Sequence, residues 1–245
     1  MRKQSEILGF NVDIFSLEEA LEYIEEFIKE SKAAQVVTIN PEIIQMARKN
    51  ADLKHTLNSA ELVVPDGAGI KLGFKLVHKL EIEQVPGIEI SKKLIEICAK
   101  NGYEVGFIGA EESVLQAAVE NLTKEFPALK IVFQKNGYFS EKEEDEIIDK
   151  LISTPVKVLF VALGVPKQEI FIEKFKEKSK TAVGVGVGGS FDVWAGKVKR
   201  APLFFRKHQC EWLYRVCTQP SRLKRIFPAL PLFLFMVIIE WYKNR

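Results

Sequence analysis

The residues best suited to chemistry follow apolar, β-rich runs, and the most suggestive is Asp66, set between Pro65 and Gly67 in VVPDGAG. A carboxylate at a strand-to-helix turn can take a proton from an incoming hydroxyl or cap the next helix, and spacing alone supports both. Thr38, Asn40 and Glu42 occupy a second such turn, VTINPE, where Pro41 suits the first helical position. Asn40 reads equally as an N-cap. In ALGVPKQE, Gly164 allows a tight turn, and Gln168 and Glu169 fall at a helix N-terminus, whose free N–H groups attract phosphate or carbonyl oxygens. Glu169 also fits ordinary first-turn matching to the helix dipole. The glycines of GVGVGGSFDVWAG, residues 184–196, would let a nucleotide approach the backbone, although tight chain crossings need glycine too. No GxGxxG opens the first βα unit and no GxxxxGK[ST] occurs, so neither a standard dinucleotide site nor a P-loop is indicated. His55, His78 and His208 are too scattered for a zinc site, while carboxylate sites for other metals stay open.

These turns need strands to carry them. Residues 35–39, 61–64, 103–108, 130–133, 156–163 and 181–187 read as six strands alternating with amphipathic helices, which predicts an α/β fold with a mainly parallel sheet. Ser16 with Glu19, and Ser140 with Glu143, are capping boxes that start two of the helices; Ser91 to Lys100 is a third, closed by Asn101-Gly102. Ligands of open parallel sheets bind beyond the carboxyl ends of the strands, where the four polar turns fall.

The 245 residues are 47% apolar and 28% charged, a composition that excludes disordered, collagenous and polytopic membrane classes. Charge divides the chain. Residues 197–245 hold eleven Lys or Arg against two acids, +9, which against an overall +2 leaves −7 on residues 1–196. We therefore expect a catalytic domain, 1–196, and a basic C-terminal appendage, 197–245, that meets an anionic surface or substrate. In that appendage aromatic residues interleave with Arg and Lys, and the fourteen uncharged residues 226–239 are interrupted by Pro228 and Pro231. A bilayer needs about 20 apolar residues to be spanned by a helix, so an interfacial helix fits better than a span. Packing on the domain itself or self-association would also cover it. Cys98, Cys210 and Cys217 form no paired framework, and the N-terminus has no signal-peptide stretch, so a reducing cytoplasmic setting is expected.

Taken in order, TINPE, PDGAG, VPG (85–87), GYF (137–139), GVPKQE, VGGSFDVWAGKVKRAP, EWLYR and QPSRLKR resemble the WecG/TagA/CpsF family of bacterial glycosyltransferases. The resemblance runs from about residue 11 to residue 225 and implies a Rossmann-like domain with a membrane-associating helical appendage. It implies transfer of N-acetylmannosamine from UDP-N-acetylmannosamine to the 4-hydroxyl of N-acetylglucosamine on pyrophosphoryl-undecaprenol, the wall teichoic acid linkage unit, with inversion. Asp66 matches the family's proposed base, Thr38 and Asn40 its substrate contacts, and Gln168 with Glu169 its nucleotide-side turn. Arg215, Arg222 and Arg225 match tail residues and, on one continuous helix, would share a face suited to a pyrophosphate. A solvated basic face or lipid headgroup contact explains them as well. No DxD metal motif is present, so no metal and no cofactor is expected.

The sequence departs from the family at Gln84, where Glu-Arg commonly precedes VPG, and at His208-Gln209-Cys210 ahead of EW. Other readings remain: a transferase of the corresponding uronic acid, a non-catalytic nucleotide-binding module, or an RNA-binding protein. The acidic body opposes the last, so no nucleic-acid partner is expected. The expected location is the inner face of the plasma membrane, peripherally bound.

Overall fold

The computed structural model describes residues 2–207, 211–218 and 223–243. Its centre is a six-stranded parallel sheet in the order β4-β3-β8-β7-β5-β6, from β3 (Ala34–Ile39), β4 (Leu62–Pro65), β5 (Glu104–Gly109), β6 (Lys130–Lys135), β7 (Val158–Ala162) and β8 (Val183–Gly186). Successive side chains of a strand point to opposite faces, so each buried strand feeds two cores. Val36, Val64, Phe107, Phe160 and Val185 face α1 (Leu17–Lys29), α5 (Gly87–Asn101), α6 (Glu112–Glu125) and α9 (Ser190–Trp194). On the other face, Val37, Ile39 and Val63 meet α2 (Pro41–Ala47), α3 (Ala51–Ser59) and α4 (Ala68–His78), while Leu159 and Val161 meet α7 (Glu141–Ile152) and α8 (Lys167–Ser179). Both capping boxes form, at Ser16/Glu19 and Ser140/Glu143. Gly102, in the left-handed region at φ 70°, ends α5 as expected.

An antiparallel hairpin of β1 (Gln4–Ile7) and β2 (Phe10–Asp13) covers the end of the sheet beside β4. Fully buried Asp13 receives the Arg2 guanidinium through Nε at 2.6 Å and Nη2 at 2.9 Å, and the Val63 N–H at 2.8 Å. That last bond occupies a backbone donor on edge strand β4, which would otherwise be open to pairing.

The C-terminal region forms α10 (Leu203–Lys207), α11 (Glu211–Thr218) and α12 (Leu223–Lys243). Pro228 and Pro231 both lie inside α12, and among the described residues no helix is long and apolar enough to cross a membrane. Ala229, Phe233 and Val237, four apart, are buried against α2 and α4. Burying a Phe or Val side chain contributes about 2 kcal/mol, so α12 is seated on the body. At its far end, Glu240 accepts the Leu8 N–H at 3.1 Å, and burial raises the pKa of its carboxyl. The opposite side of α12 remains apolar and open, with Phe227, Leu232, Phe235 and Tyr242 exposed.

Candidate active site

β3 and β4 run in register, Ile39 beside Pro65, so the residues that follow them, Asn40 and Asp66, emerge side by side at the carboxyl edge. Thr38, half-buried, is the penultimate residue of β3. Asn40 is the N-cap of α2, its side chain accepting the Ile43 N–H at 3.0 Å. That use engages Oδ1 and leaves the amide Nδ2 as the half that can meet a ligand.

Asp66 is not the cap of the helix it precedes. The N-cap of α4 is Gly67, at φ 92°, with no side-chain cap. The backbone N–H of Asp66 extends the ladder to Ile39 O at 2.8 Å. Its carboxylate turns toward the next segment, where Oδ1 accepts from Gln84 Nε2 at 3.2 Å and Oδ2 from the Gly87 N–H at 3.4 Å. Gln84 therefore gives the acid a neutral donor. Gly87 also presses against Thr38. A Cβ there would lie 3.0 Å from Thr38 Oγ1, so a bare backbone fits best between the two. Thr38 and Asp66 thus meet at the first turn of α5, with Asn40 beside Asp66 along the carboxyl edge.

Gln168 and Glu169 open α8 as anticipated, but lie below the surface, 4% and 3% exposed. Gln168 Nε2 donates to Glu169 Oε1 at 2.7 Å, and Gln168 Oε1 accepts the Gly188 N–H at 3.1 Å. From β3, Gln35 Nε2 donates to the Glu169 carbonyl at 2.9 Å. Burial pushes the Glu169 carboxyl up to about 7, against the bonds from Gln168 and its own backbone. Its Oε2 and the nearby amide's Gln35 Oε1 have no partner among the described residues. This cluster ties α8, β3 and the turn after β8 together.

Between β5 and β7 the connections diverge, with α6 leading outward to β6 and α8 back toward β8, which makes a crevice of the kind where nucleotides bind. Its floor is backbone. Gly109, at φ 127°, passes so close to Ala162 that a Cβ would lie 2.3 Å from the Ala162 carbonyl oxygen. The loop after β6 crosses here through the Gly137 N–H, which donates to Ala110 O at 2.8 Å, and leaves the Tyr138 ring 72% exposed. Tyr138 lies in the GYF segment but was not among the expected site residues. An exposed aromatic directly after a strand, within GYF, was the available signal.

Of the tail arginines, Arg222 lies outside the described residues, as do His208, Gln209 and Cys210. Arg215 belongs to α11 and Arg225 to α12. Arg215 and Arg225 therefore do not lie on one continuous helix, the arrangement in which the three arginines would share a face. Among the described residues no group of three or more His, Cys, Asp or Glu could hold a metal ion.

A family model described as glycosyl transferase WecG/TagA/CpsF family matches residues 5–245. The N-acetylglucosaminyldiphosphoundecaprenol N-acetyl-beta-D-mannosaminyltransferase of Bacillus spizizenii is 36% identical over 212 residues, covering 86% of this chain and 81% of that one. The enzyme of that name from Bacillus subtilis is 31% identical over 221 residues, 90% and 85% of the two chains. The one from Staphylococcus aureus is 30% identical over 237 residues, 95% and 91%.

Proposed function

The chain belongs to the WecG/TagA/CpsF family of glycosyl transferases, and from this we propose that it moves N-acetylmannosamine from UDP-N-acetylmannosamine to the 4-hydroxyl of N-acetylglucosamine on undecaprenyl pyrophosphate. The names of the Bacillus and Staphylococcus relatives carry the transferred sugar, N-acetylmannosamine, and the acceptor, N-acetylglucosaminyldiphosphoundecaprenol; the UDP donor and the 4-hydroxyl are our proposal. Asp66 takes the acceptor hydroxyl's proton as its oxygen bonds the anomeric carbon. The bond from that carbon to the diphosphate breaks, and UDP leaves from the opposite face. One displacement at one carbon inverts configuration, so a single carboxylate suffices as base. The observation that carries this reading is the orientation of Asp66: its carboxylate leaves α4 uncapped and turns toward Gln84 and Gly87, beside Thr38 and Asn40.

In this reading the UDP lies over the crevice between β5 and β7. Backbone there can approach the diphosphate, and Tyr138 offers a ring face to the base. Gln168 and Glu169 hold the neighbouring turn. Arg215, Arg222 and Arg225 supply positive charge for pyrophosphate from the 197–245 appendage. The membrane assignment draws on α12, apolar on its buried side and on its open side, and on Leu203 and Phe204 of α10, which are 61% and 67% exposed. A helix apolar all round needs a second apolar environment, and a lipid surface is where the acceptor resides. The enzyme then works peripherally on the cytoplasmic leaflet.

The test is incubation of the full chain with UDP-N-acetylmannosamine, its uronic acid counterpart and UDP-N-acetylglucosamine, each with a short-chain prenyl-pyrophosphoryl N-acetylglucosamine. Mass spectrometry should show one added N-acetylhexosamine from the first donor only. A product from the uronic acid alone, or none from any donor, overturns the proposal.

A further inference from the structure

The first turn of α5 touches two residues of the site at once. Gly87 donates to Asp66 Oδ2 at 3.4 Å, a long bond that a small displacement would lose, and its Cα packs against Thr38. Two residues into the helix, Glu89 is ion-paired with Arg200. Arg200 comes from the stretch between α9 and α10, whose main chain is fixed: Val198 N–H donates to Asp192 O at 3.0 Å, and Ala201 is 3% exposed. The guanidinium therefore reaches α5 from an anchored root, at the point where the chain leaves for its C-terminal helices.

With side chains 29% and 34% exposed, such a pair adds little to the stability of the fold. Its location makes it useful in another way. We propose that Arg200 is a positioning residue for sugar transfer, holding the first turn of α5 through Glu89 so that Gly87 stays against Asp66 and Thr38. This rests on Asp66 being the base. Arginine suits the task because its guanidinium is always charged, and here one end of it, Nη2, bonds Glu89 Oε1.

The experiment compares Arg200→Gln, Glu89→Gln, the reciprocal pair Arg200→Glu with Glu89→Arg, and Asp66→Asn, all in the full chain in detergent with UDP-N-acetylmannosamine and the short-chain acceptor. Misplacement of a reacting group by about 1 Å can cost about a hundredfold in rate, so the smaller displacement in Arg200→Gln or Glu89→Gln should cost about tenfold in kcat. KM for the UDP-sugar and the melting midpoint should stay near wild type, and the reciprocal pair should recover most of the lost kcat. Unchanged kcat in Arg200→Gln overturns the inference. So does a loss that tracks a lowered melting midpoint, or a reciprocal pair no better than the worse single variant. If Asp66→Asn keeps its turnover, the base assignment itself fails. If Asp66→Asn is inactive while Arg200→Gln is normal, only the role of Arg200 fails.

Discussion

The polar strand ends of this protein meet two opposite fates. VTINPE and VVPDGAG leave Thr38, Asn40 and Asp66 half-buried at the carboxyl edge, whereas ALGVPKQE sends Gln168 and Glu169 beneath it. The difference lies in what stands next to each. Beyond β3 and β4 is the glycine-led first turn of α5, with few side chains to cover the polar groups. Beside the start of α8 are Gln35 of β3 and the Gly186–Gly189 turn, which enclose the amide and the acid. Each site combines a side-chain amide with a backbone N–H, so depth separates them: a polar residue after a strand keeps access to a ligand where it stays part open, and serves as a structural tie where it is enclosed.

The largest expected contrast is between Asp66→Ala and changes in the buried pair. A positioned base contributes about 10²- to 10⁴-fold, so Asp66→Ala should lose at least about 10²-fold in turnover with little change in melting temperature. Near-normal turnover would erase the distinction from the part-open side.

Gln168→Ala should behave oppositely. It strands the Gly188 N–H and Glu169 Oε1, and an unsatisfied buried group costs about 1–3 kcal/mol, so chemical denaturation should show that loss of stability. Glu169 adds a pH signature. Its folded pKa, about 7, lies above the ordinary carboxylate value of 4.5, so between these the folded state holds more protons than the unfolded chain. Its contribution is therefore most favourable below about pH 4.5, declines as pH rises through this window, and levels off above about 7. Over the whole window the change is on the order of 3 kcal/mol. Subtracting the pH–stability curve of Glu169→Gln should isolate it, and a difference that stays flat from pH 5 to 8 would mean that the acid is not held neutral.

A third contrast concerns the crevice. Stacking of a base on an aromatic ring is worth about 1–3 kcal/mol, so Tyr138→Ala should weaken UDP binding at least about fivefold in calorimetry and leave the fold intact. Unchanged affinity would move the nucleotide away from this loop.

The sheet was legible because each of its strands is a short apolar run ended by a turn. All six expected strands are present, with their ends shifted by at most two residues. The hairpin was not legible, because QSEI and FNVD are short and mixed, and what holds them is distant: Asp13 reaches Val63, 50 positions away. α12 was read as an apolar run without a face. Its inward residues Ala229, Phe233 and Val237 cannot be told from outward Phe227 and Phe235 by type, since both environments are apolar. At the site, the position of Asp66 was legible and its direction was not, because Gln84 and Gly87 lie 18 and 21 residues further along. The burial of Gln168 and Glu169 was hidden for the same reason: Gln35 is 134 positions from Glu169.

At Asn40 the two fates meet in one side chain. Oδ1 is a structural tie, capping α2 at Ile43, and Nδ2 is the candidate reagent. Asn and Asp cap helices about equally well, within a few tenths of a kcal/mol, so Asn40→Asp should leave stability nearly unchanged. It replaces a donor by an acceptor, however, and would set a second carboxylate beside Asp66. If Nδ2 donates to substrate, loss of that bond at about 1.4 kcal/mol should lower kcat/KM by about tenfold. Asn40→Ala should show the reverse balance, with about 1 kcal/mol lost from the cap in addition to the loss of activity. Equal activity in Asn40→Asp and wild type would assign the whole residue to the cap, leaving Thr38 and Asp66 as the polar groups that face the acceptor.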